Sequence, residues 1–411
     1  MKILIVNTSD TQGGAARAAY RLHRSLLGAD VDSQMLVQSK TSDDFTVTGS
    51  HSIIQKGLAI IRPTLDSIPV QLYKHRTKTR FSPSWLPFTG MVDRINALNP
   101  DIVHLHWICA GMMRIEDIAK INVPIVWSLH DMWAFTGGCH CDEGCGAYKE
   151  SCGGCKVLGS TRAGDLSSSV LKRKHKAFRV VKNLTIIGLS QWMARCAAES
   201  SLFKNNKVVN LPNPLDSHVF SPVAQRTARD LLNLPKDKKI ILFGAMIATS
   251  DPNKGFKELS ESLNKLQRDD IEFVVFGSSE PIESQRFKFK THYLGQLYDD
   301  ISLRVLYSAA DVMVVPSLQE AFCQTAAEAM SCGTPVVAFG ATGLLDVVDH
   351  LTNGYLAKPF DIDDLANGIE WVLSAKNYIE LSQNARDKVM RKFDSQVVAE
   401  QYLELYKDIL S

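Results

Sequence analysis

Two glutamates with seven residues between them, Glu320 and Glu328, are the side chains of this sequence best placed to do chemistry. They lie in Pro316-Ser317-Leu318-Gln319-Glu320-Ala321-Phe322-Cys323-Gln324-Thr325-Ala326-Ala327-Glu328. The apolar run Asp311 to Val315 before it reads as a buried strand, and a helix is predicted to begin near Phe322. Eight helical steps of about 100° each would set the two carboxylates on different faces. The pair makes chemical sense if Glu320 belongs to the loop at the helix N-terminus, where unpaired N–H groups and the positive dipole end favour a phosphate. One carboxylate beside that phosphate can accept hydrogen bonds from sugar hydroxyls while the other holds a ribose. The competing reading of the spacing is a capped surface helix with two solvated glutamates.

Other chemistries lose ground by what is missing. No G-x-G-x-x-G follows the first strand, and no G-x-x-x-x-G-K-[ST], H-E-x-x-H or G-x-S-x-G occurs. Histidines gather at strand ends: His104 and His106 close one apolar run, and His130-Asp131 close the next. Open α/β sheets place ligands at such ends; the alternative is a satisfied structural histidine, the stronger reading for His104. Cysteines crowd one segment, with Cys139, Cys141, Cys145, Cys152 and Cys155. Cys152 and Cys155 form a CxxC, and Cys139 and Cys145 would complete a tetrahedral thiolate set, a candidate structural zinc site with free thiols as the alternative. Two basic stretches suit an anionic membrane surface or a lipid-diphosphate acceptor: Lys74, Arg76, Lys78 and Arg80 before Phe81, Trp85 and Phe88, and Lys172, Arg173, Lys174, Lys176, Arg179 and Lys182. A solvated helix face is the plainer explanation of the second.

These residues need a frame to hold them. The chain has 411 residues, 45% hydrophobic and 22% charged, which excludes a disordered chain, a collagen and a small disulfide scaffold. Lys+Arg 46 against Asp+Glu 44 leaves +2, so nucleic-acid binding has no electrostatic basis. Short apolar runs at 2–6, 102–105, 124–127 and 184–187 alternate with helix-compatible segments. The pattern restarts at 239–244 and continues at 271–276, 311–315 and 335–339. The expected fold is α/β, with two Rossmann-like doubly wound domains facing a cleft. Residues 1–212 form the N-terminal domain and 213–394 the second, joined near Pro212-Asn213-Pro214. Residues 395–411 form a last helix packing back on the N-terminal domain. The opening apolar run is too short for a secretory h-region, and no run is long enough to span a bilayer. The expected location is cytoplasmic, at the inner face of the cell membrane.

With Ser331-Cys332-Gly333-Thr334-Pro335-Val336-Val337-Ala338 after it, the Glu320–Glu328 segment resembles the E-x7-E signature of family 4 retaining glycosyltransferases, which have the GT-B fold. Leu211 to Asp216 with Phe220-Ser221-Pro222 is similar to that family's interdomain segment, and Tyr307 to Asp311 and Asn353 to Leu356 match its pattern. The likeness is densest after residue 100 and points to bacterial exopolysaccharide or colanic-acid-type enzymes. It implies transfer of a sugar, with retention, from a nucleoside-diphosphate sugar to a growing, lipid-linked cell-surface polysaccharide. By the same resemblance Glu320 contacts the transferred sugar, the backbone of Ala321, Phe322, Cys323 and Gln324 lies near the donor phosphate, and Glu328 binds the nucleotide ribose. Lys254, in Asp251-Pro252-Asn253-Lys254-Gly255, resembles the lysine that neutralises the diphosphate; a solvated loop lysine is the plain alternative. Gly13-Gly14 looks like the family's glycine-rich loop, and His130 resembles its active-site histidine. The resemblance also makes 1–212 the acceptor-side domain and 213–394 the nucleotide-sugar-binding domain, and implies catalysis with no cofactor and no D-x-D metal site. Many relatives carry an arginine directly after the glycine of Phe243-Gly244, where this chain has Ala245. Rival expectations are another GT-B enzyme, such as a nucleotide-sugar epimerase or a phosphorylase, and a non-catalytic nucleotide-sugar or glycan-binding module.

Overall fold

A computed structural model of the chain describes residues 1–50, 53–87, 90–246, 249–279 and 287–411. Phe88, one of the aromatics beside the first basic stretch, lies outside them. The chain divides into two compact units, Met1–Pro214 with Val398–Ser411, and Leu215–Val397.

The first unit is built on a seven-stranded sheet. Its strands are β1 (Lys2–Ser9), β2 (Asp32–Ser39), β3 (Val47–Thr48), β4 (Ile102–Leu105), β5 (Ile125–Leu129), β6 (Leu184–Gly188) and β7 (Lys207–Asn210). Their order is β3-β2-β1-β4-β5-β6-β7, and every neighbouring pair is parallel. Strands covered on both faces need apolar side chains on both, which is why they stand in the sequence as unbroken apolar runs. Ile3, Ile5, Leu22, Leu26, Met35 and Ile102 pack into one core with Val398, Tyr402 and Tyr406 of the last helix, Ser395–Leu410.

The second unit repeats the plan with six parallel strands. These are β8 (Lys239–Gly244), β9 (Ile271–Phe276), β10 (Lys290–Tyr293), β11 (Val312–Val315), β12 (Val336–Phe339) and β13 (Gly354–Ala357), in the order β10-β9-β8-β11-β12-β13. Phe243, Phe273, Val314, Phe339, Leu365 and Ile369 lie in its core.

In each sheet the chain reverses its winding once, between β1 and β4 in the first unit and between β8 and β11 in the second. Helices on either side of such a point leave a crevice beyond the strands' C-terminal ends. The residues singled out in the sequence sit there: Gly13-Gly14 follow β1, His106 follows β4, Lys254 follows β8, and Glu320 follows β11. Several other helices are capped by a side chain accepting from an N–H three residues on, as with Asp165, Ser190, Asp299 and Asp361. The helices that start from these loops, Gly14–Gly28 and Gln324–Ser331, have no side-chain cap.

Candidate functional site

In the second unit three loops are tied together around Glu320. Asn253 accepts on its carbonyl from the Leu318 N–H at 2.9 Å and donates through Nδ2 to the Gln319 carbonyl at 2.8 Å. Thr342 Oγ1 accepts from the Glu320 N–H at 3.0 Å, and the Gly343 N–H donates to the Glu320 carbonyl at 2.9 Å. Gly255 has φ +70°, and a Cβ there would lie 1.9 Å from the Pro316 carbonyl oxygen, so only glycine lets the loops meet. The result is an ion pair. Lys254 Nζ donates to Glu320 Oε1 at 2.7 Å, with the side chains 23% and 14% exposed. Burial alone would lower the lysine's pKa, but Glu320 outweighs it and holds the ammonium above its ordinary value.

The helix after Glu320 starts two residues later than its spacing predicts. Cys323 has φ 76° and ψ 86° and stands as N-cap before Gln324–Ser331, so the chain is still left-handed where a helix was expected. Glu320 therefore does lie in the loop and Glu328 on the helix. Glu328 is 2% exposed, and its Oε2 accepts from the Tyr307 hydroxyl at 2.7 Å. Burial pushes the Cys323 thiol up to about 12, with Glu320 adding to the effect.

The first unit holds a row of histidines at the ends of β4 and β5. His104 is fully buried and uses both ring nitrogens, Nδ1 with the Tyr406 hydroxyl at 2.7 Å and Nε2 with Ser128 Oγ at 2.9 Å. That is a structural residue pinning the last helix to the sheet. His106 Nδ1 faces His130 Nε2 at 2.8 Å, while His106 Nε2 is buried without a hydrogen-bond partner. His130 is partly exposed. Burial lowers all three pKa values, to about 3 for His104, to about 4 for His130 and well down for His106, so the row is uncharged near neutrality. Beside it, Asp131 Oδ2 accepts from Trp107 Nε1 at 2.8 Å and lies 2.6 Å from His140 Nδ1; His140 Nε2 lies 2.8 Å from Ser82 Oγ. Burial opposes ionisation of Asp131, but His140, the Trp133 N–H and Trp107 overcome it, so its carboxyl stays below the usual range.

A family model described as Glycosyltransferase Family 4 matches residues 12–219, just over half of the 411. The chain belongs to this family. A second model, glycosyl transferases group 1, matches residues 224–388. The lipopolysaccharide 1,2-N-acetylglucosaminetransferase of Salmonella typhimurium is 28% identical over 218 residues, 48% of this chain and 56% of that protein. The N,N'-diacetylbacillosaminyl-diphospho-undecaprenol alpha-1,3-N-acetylgalactosaminyltransferase of Campylobacter jejuni is 31% identical over 184 residues, 43% and 47% of the two chains. The chain thus spans about half the length of these curated relatives. Among solved structures, sucrose-phosphate synthase from Thermosynechococcus elongatus superposes with TM-score 0.69 at 21% identity, covering 100% of this chain and 99% of that one. Anabaena HepE in complex with UDP and glucose gives 0.67 at 16%, covering 99% of each. At those identities the likeness is one of fold, the GT-B architecture of two parallel-sheet α/β domains.

In this family 4 chain the structure brings Lys254 and Glu320 together, places Ala321 to Gln324 at an uncapped helix start, and buries Glu328 behind Tyr307. It places Gly13 and Gly14 at the start of the first unit's first helix. Gly13 has φ 102° and so needs glycine, whereas a Cβ on Gly14 would meet nothing within 4 Å. Cys139 is buried, Cys152 and Cys155 are half-buried and Cys145 is exposed, all as free thiols. Among the described residues no three His, Cys, Asp or Glu side chains are gathered to hold a metal, though Cys145, Cys152 and Cys155 are near enough to Cys139 to raise its pKa. Burial raises the pKa of Cys139 and of Cys152, the latter to about 11.

One expectation is corrected: the second basic stretch is not a plain cationic face. Lys174 is fully buried, donating to the carbonyls of Trp133 and Thr136 over the Trp133 ring, and Arg173 pairs with Glu116 and the carbonyls of Pro83 and Ser84. Tyr307, Asn253 and His140 were not legible as site residues, because each acts through a partner distant in sequence.

Proposed function

We propose that this chain transfers a sugar, with retention, from a nucleoside-diphosphate sugar to a lipid-linked surface glycan at the inner face of the cell membrane. The observation that carries the reading is the Lys254–Glu320 pair beside an uncapped helix start, at the switch point of the second sheet, in a family 4 chain. The leaving group is a diphosphate. An ammonium has three N–H donors, of which Glu320 takes one, so Lys254 can turn the others to phosphate. The N-terminus of Gln324–Ser331 presents backbone N–H groups to the same anion. As the anomeric C–O bond to phosphate breaks, the acceptor hydroxyl attacks from the same face. Its proton passes to a phosphate oxygen, so no dedicated protein base is required. Glu320 orients sugar hydroxyls, and the neutral His130 can donate or accept a hydrogen bond without adding charge. Glu328, held by Tyr307, keeps a carboxylate in place for the ribose. No cofactor enters these steps.

Thermal melting against a panel of UDP-, GDP- and ADP-sugars tests the reading. A true donor at saturation should stabilise by about 2–4 kcal/mol through mass action, and Lys254→Ala should remove that gain. No response to any member of the panel would count against the donor site. Turnover surviving in Glu320→Ala would count against its role in transfer, and a donor that binds without being turned over at all would favour a binding module.

A further inference from the structure

The helix Ile53–Gln71 is turned inside out. Arg62 and Asp66 point into the first unit: Arg62 donates to the carbonyls of Gly111 at 2.6 Å and Pro87 at 3.1 Å. Asp66, 2% exposed, accepts from the Trp85 N–H at 3.2 Å, and its carbonyl accepts from Trp85 Nε1 at 3.2 Å. Most of the described aliphatic side chains face away, Val70 being the buried exception. Leu58, Ile61, Leu65, Ile68 and Leu72 follow one another at three- and four-residue steps and are 44, 51, 37, 45 and 79% exposed. That spacing normally seats a helix on a core. Elsewhere among the described residues, exposed large apolar side chains are spread along the chain, as with Phe45, Val180 and Tyr298, and single ones need no explanation.

Positive charge is concentrated in the same segment. Between Phe45 and Val92 the sequence holds six Lys or Arg and one acid, the buried Asp66. Lys74, Arg76, Lys78 and Arg80 follow the helix directly and, with Val70 and Phe81, line a surface hollow of about 550 Å³. Glu143 reaches this segment, its Oε1 accepting from the Thr77 and Thr79 hydroxyls at 2.7 and 2.6 Å, and Arg80 lies over the Trp107 ring at 5.3 Å.

We propose that this face docks the chain on an anionic lipid bilayer. The aliphatic stripe of Ile53–Gln71 lies among the acyl chains and the four following cations sit at headgroup phosphates. The helix rests on the membrane and does not cross it: among the described residues no helix is long and apolar enough to span. A second copy of the chain would bring like cations together across a two-fold contact, and an acidic soluble partner would leave the stripe unanswered. The proposal deepens the membrane-side reading above and rests on it for where the acceptor lies, while the surface stands on its own geometry.

The test is co-sedimentation of the whole chain with vesicles of phosphatidylcholine, with or without phosphatidylglycerol. The native chain should pellet with the anionic vesicles, and less as salt is raised. Leu65→Gln with Ile68→Gln should abolish pelleting at every salt with an unchanged melting temperature, since both side chains are already exposed. Lys74→Glu with Lys78→Glu should weaken partitioning by about tenfold or more. A native chain that stays in the supernatant, or variants that pellet like it, would overturn the proposal. So would a native dimer made monomeric by the Gln pair without any vesicle binding. Donor stabilisation read on the same samples separates the two readings. Vesicle binding without a donor response sinks the transferase and leaves the surface standing; a donor response without vesicle binding does the reverse.

Discussion

Removing the charge of Lys254 should separate what it does for the fold from what it does for the donor. Its pair with Glu320 is short, 2.7 Å, and both side chains are largely out of water. At an effective dielectric of about 20 two unit charges at that distance attract by about 6 kcal/mol, and desolvation of both groups takes most of this back. Lys254→Met leaves Glu320 without its partner. Breaking a fully buried pair costs about 3–5 kcal/mol, so this partly exposed one should cost about 2–3. Glu320→Gln should cost less, and the double variant less than the sum, with a coupling of about 1–2 kcal/mol in a urea-denaturation cycle.

Nucleotide binding should divide differently. Lys254→Met gives up a charge-assisted contact to phosphate worth about 1.5–3 kcal/mol, so calorimetry should show nucleoside diphosphate binding about 10- to 150-fold more weakly. Glu320→Gln removes the carboxylate that competes with phosphate for the ammonium. It should therefore bind bare nucleoside diphosphate at least as well as the native chain, while transfer collapses. If Lys254→Met binds the diphosphate like the native chain, the pair has nothing to do with the leaving group. If Glu320→Gln loses diphosphate binding along with transfer, Glu320 works as a brace for the loops and the sugar-contact role falls.

Three further perturbations follow from the same geometry. Tyr307→Phe keeps the ring against Phe276 and Phe220 but leaves the buried Glu328 one donor short; urea midpoints should show a loss of about 1–3 kcal/mol, with weaker donor binding alongside. Gly255→Ala drives a Cβ against the Pro316 carbonyl and should cost at least about 1 kcal/mol, moving Lys254 with it, so native-like stability and donor affinity in this variant would contradict the loop geometry. Acid should destabilise the first unit through its buried histidines: with folded values of about 4 for His23 and about 3 for His104, both below the unfolded 6.5, their contribution is full above 6.5 and is lost as pH falls towards the folded values. Linkage gives about 2 kcal/mol per histidine by pH 5, and His104→Gln should flatten the pH dependence of the melting temperature by its share.

The strands were the legible part of this fold, for a physical reason. A strand buried on both faces must be apolar at every position, so runs such as Ile240 to Phe243 announce themselves whatever surrounds them. Helix ends were less legible: nothing in Phe322-Cys323-Gln324 signals a left-handed Cys323, because that backbone state is imposed by the loops packed against it. The Lys254–Glu320 pair joins residues 66 apart, and local spacing carries no information on which lysine meets which glutamate.

Least legible of all were the polar groups that lie inside. Lys174 sits in a run of basic residues that would ordinarily be solvated, yet two carbonyls and an indole face hold its ammonium in the core, where burial lowers its pKa to about 7. Arg62 and Asp66 do the same for Ile53–Gln71. Each is satisfied by backbone groups of neighbouring loops, and a buried charged group without such partners would cost several kcal/mol, on the order of 3–5. Once those two are anchored, helical geometry turns Ile61 and Ile68, each about 100° or more around the axis from both, towards water. The stripe is exposed because the polar side won the contest for the protein interior. A surface bought at that cost is expected to be covered in the working state of the molecule, and the cations beside it say by what.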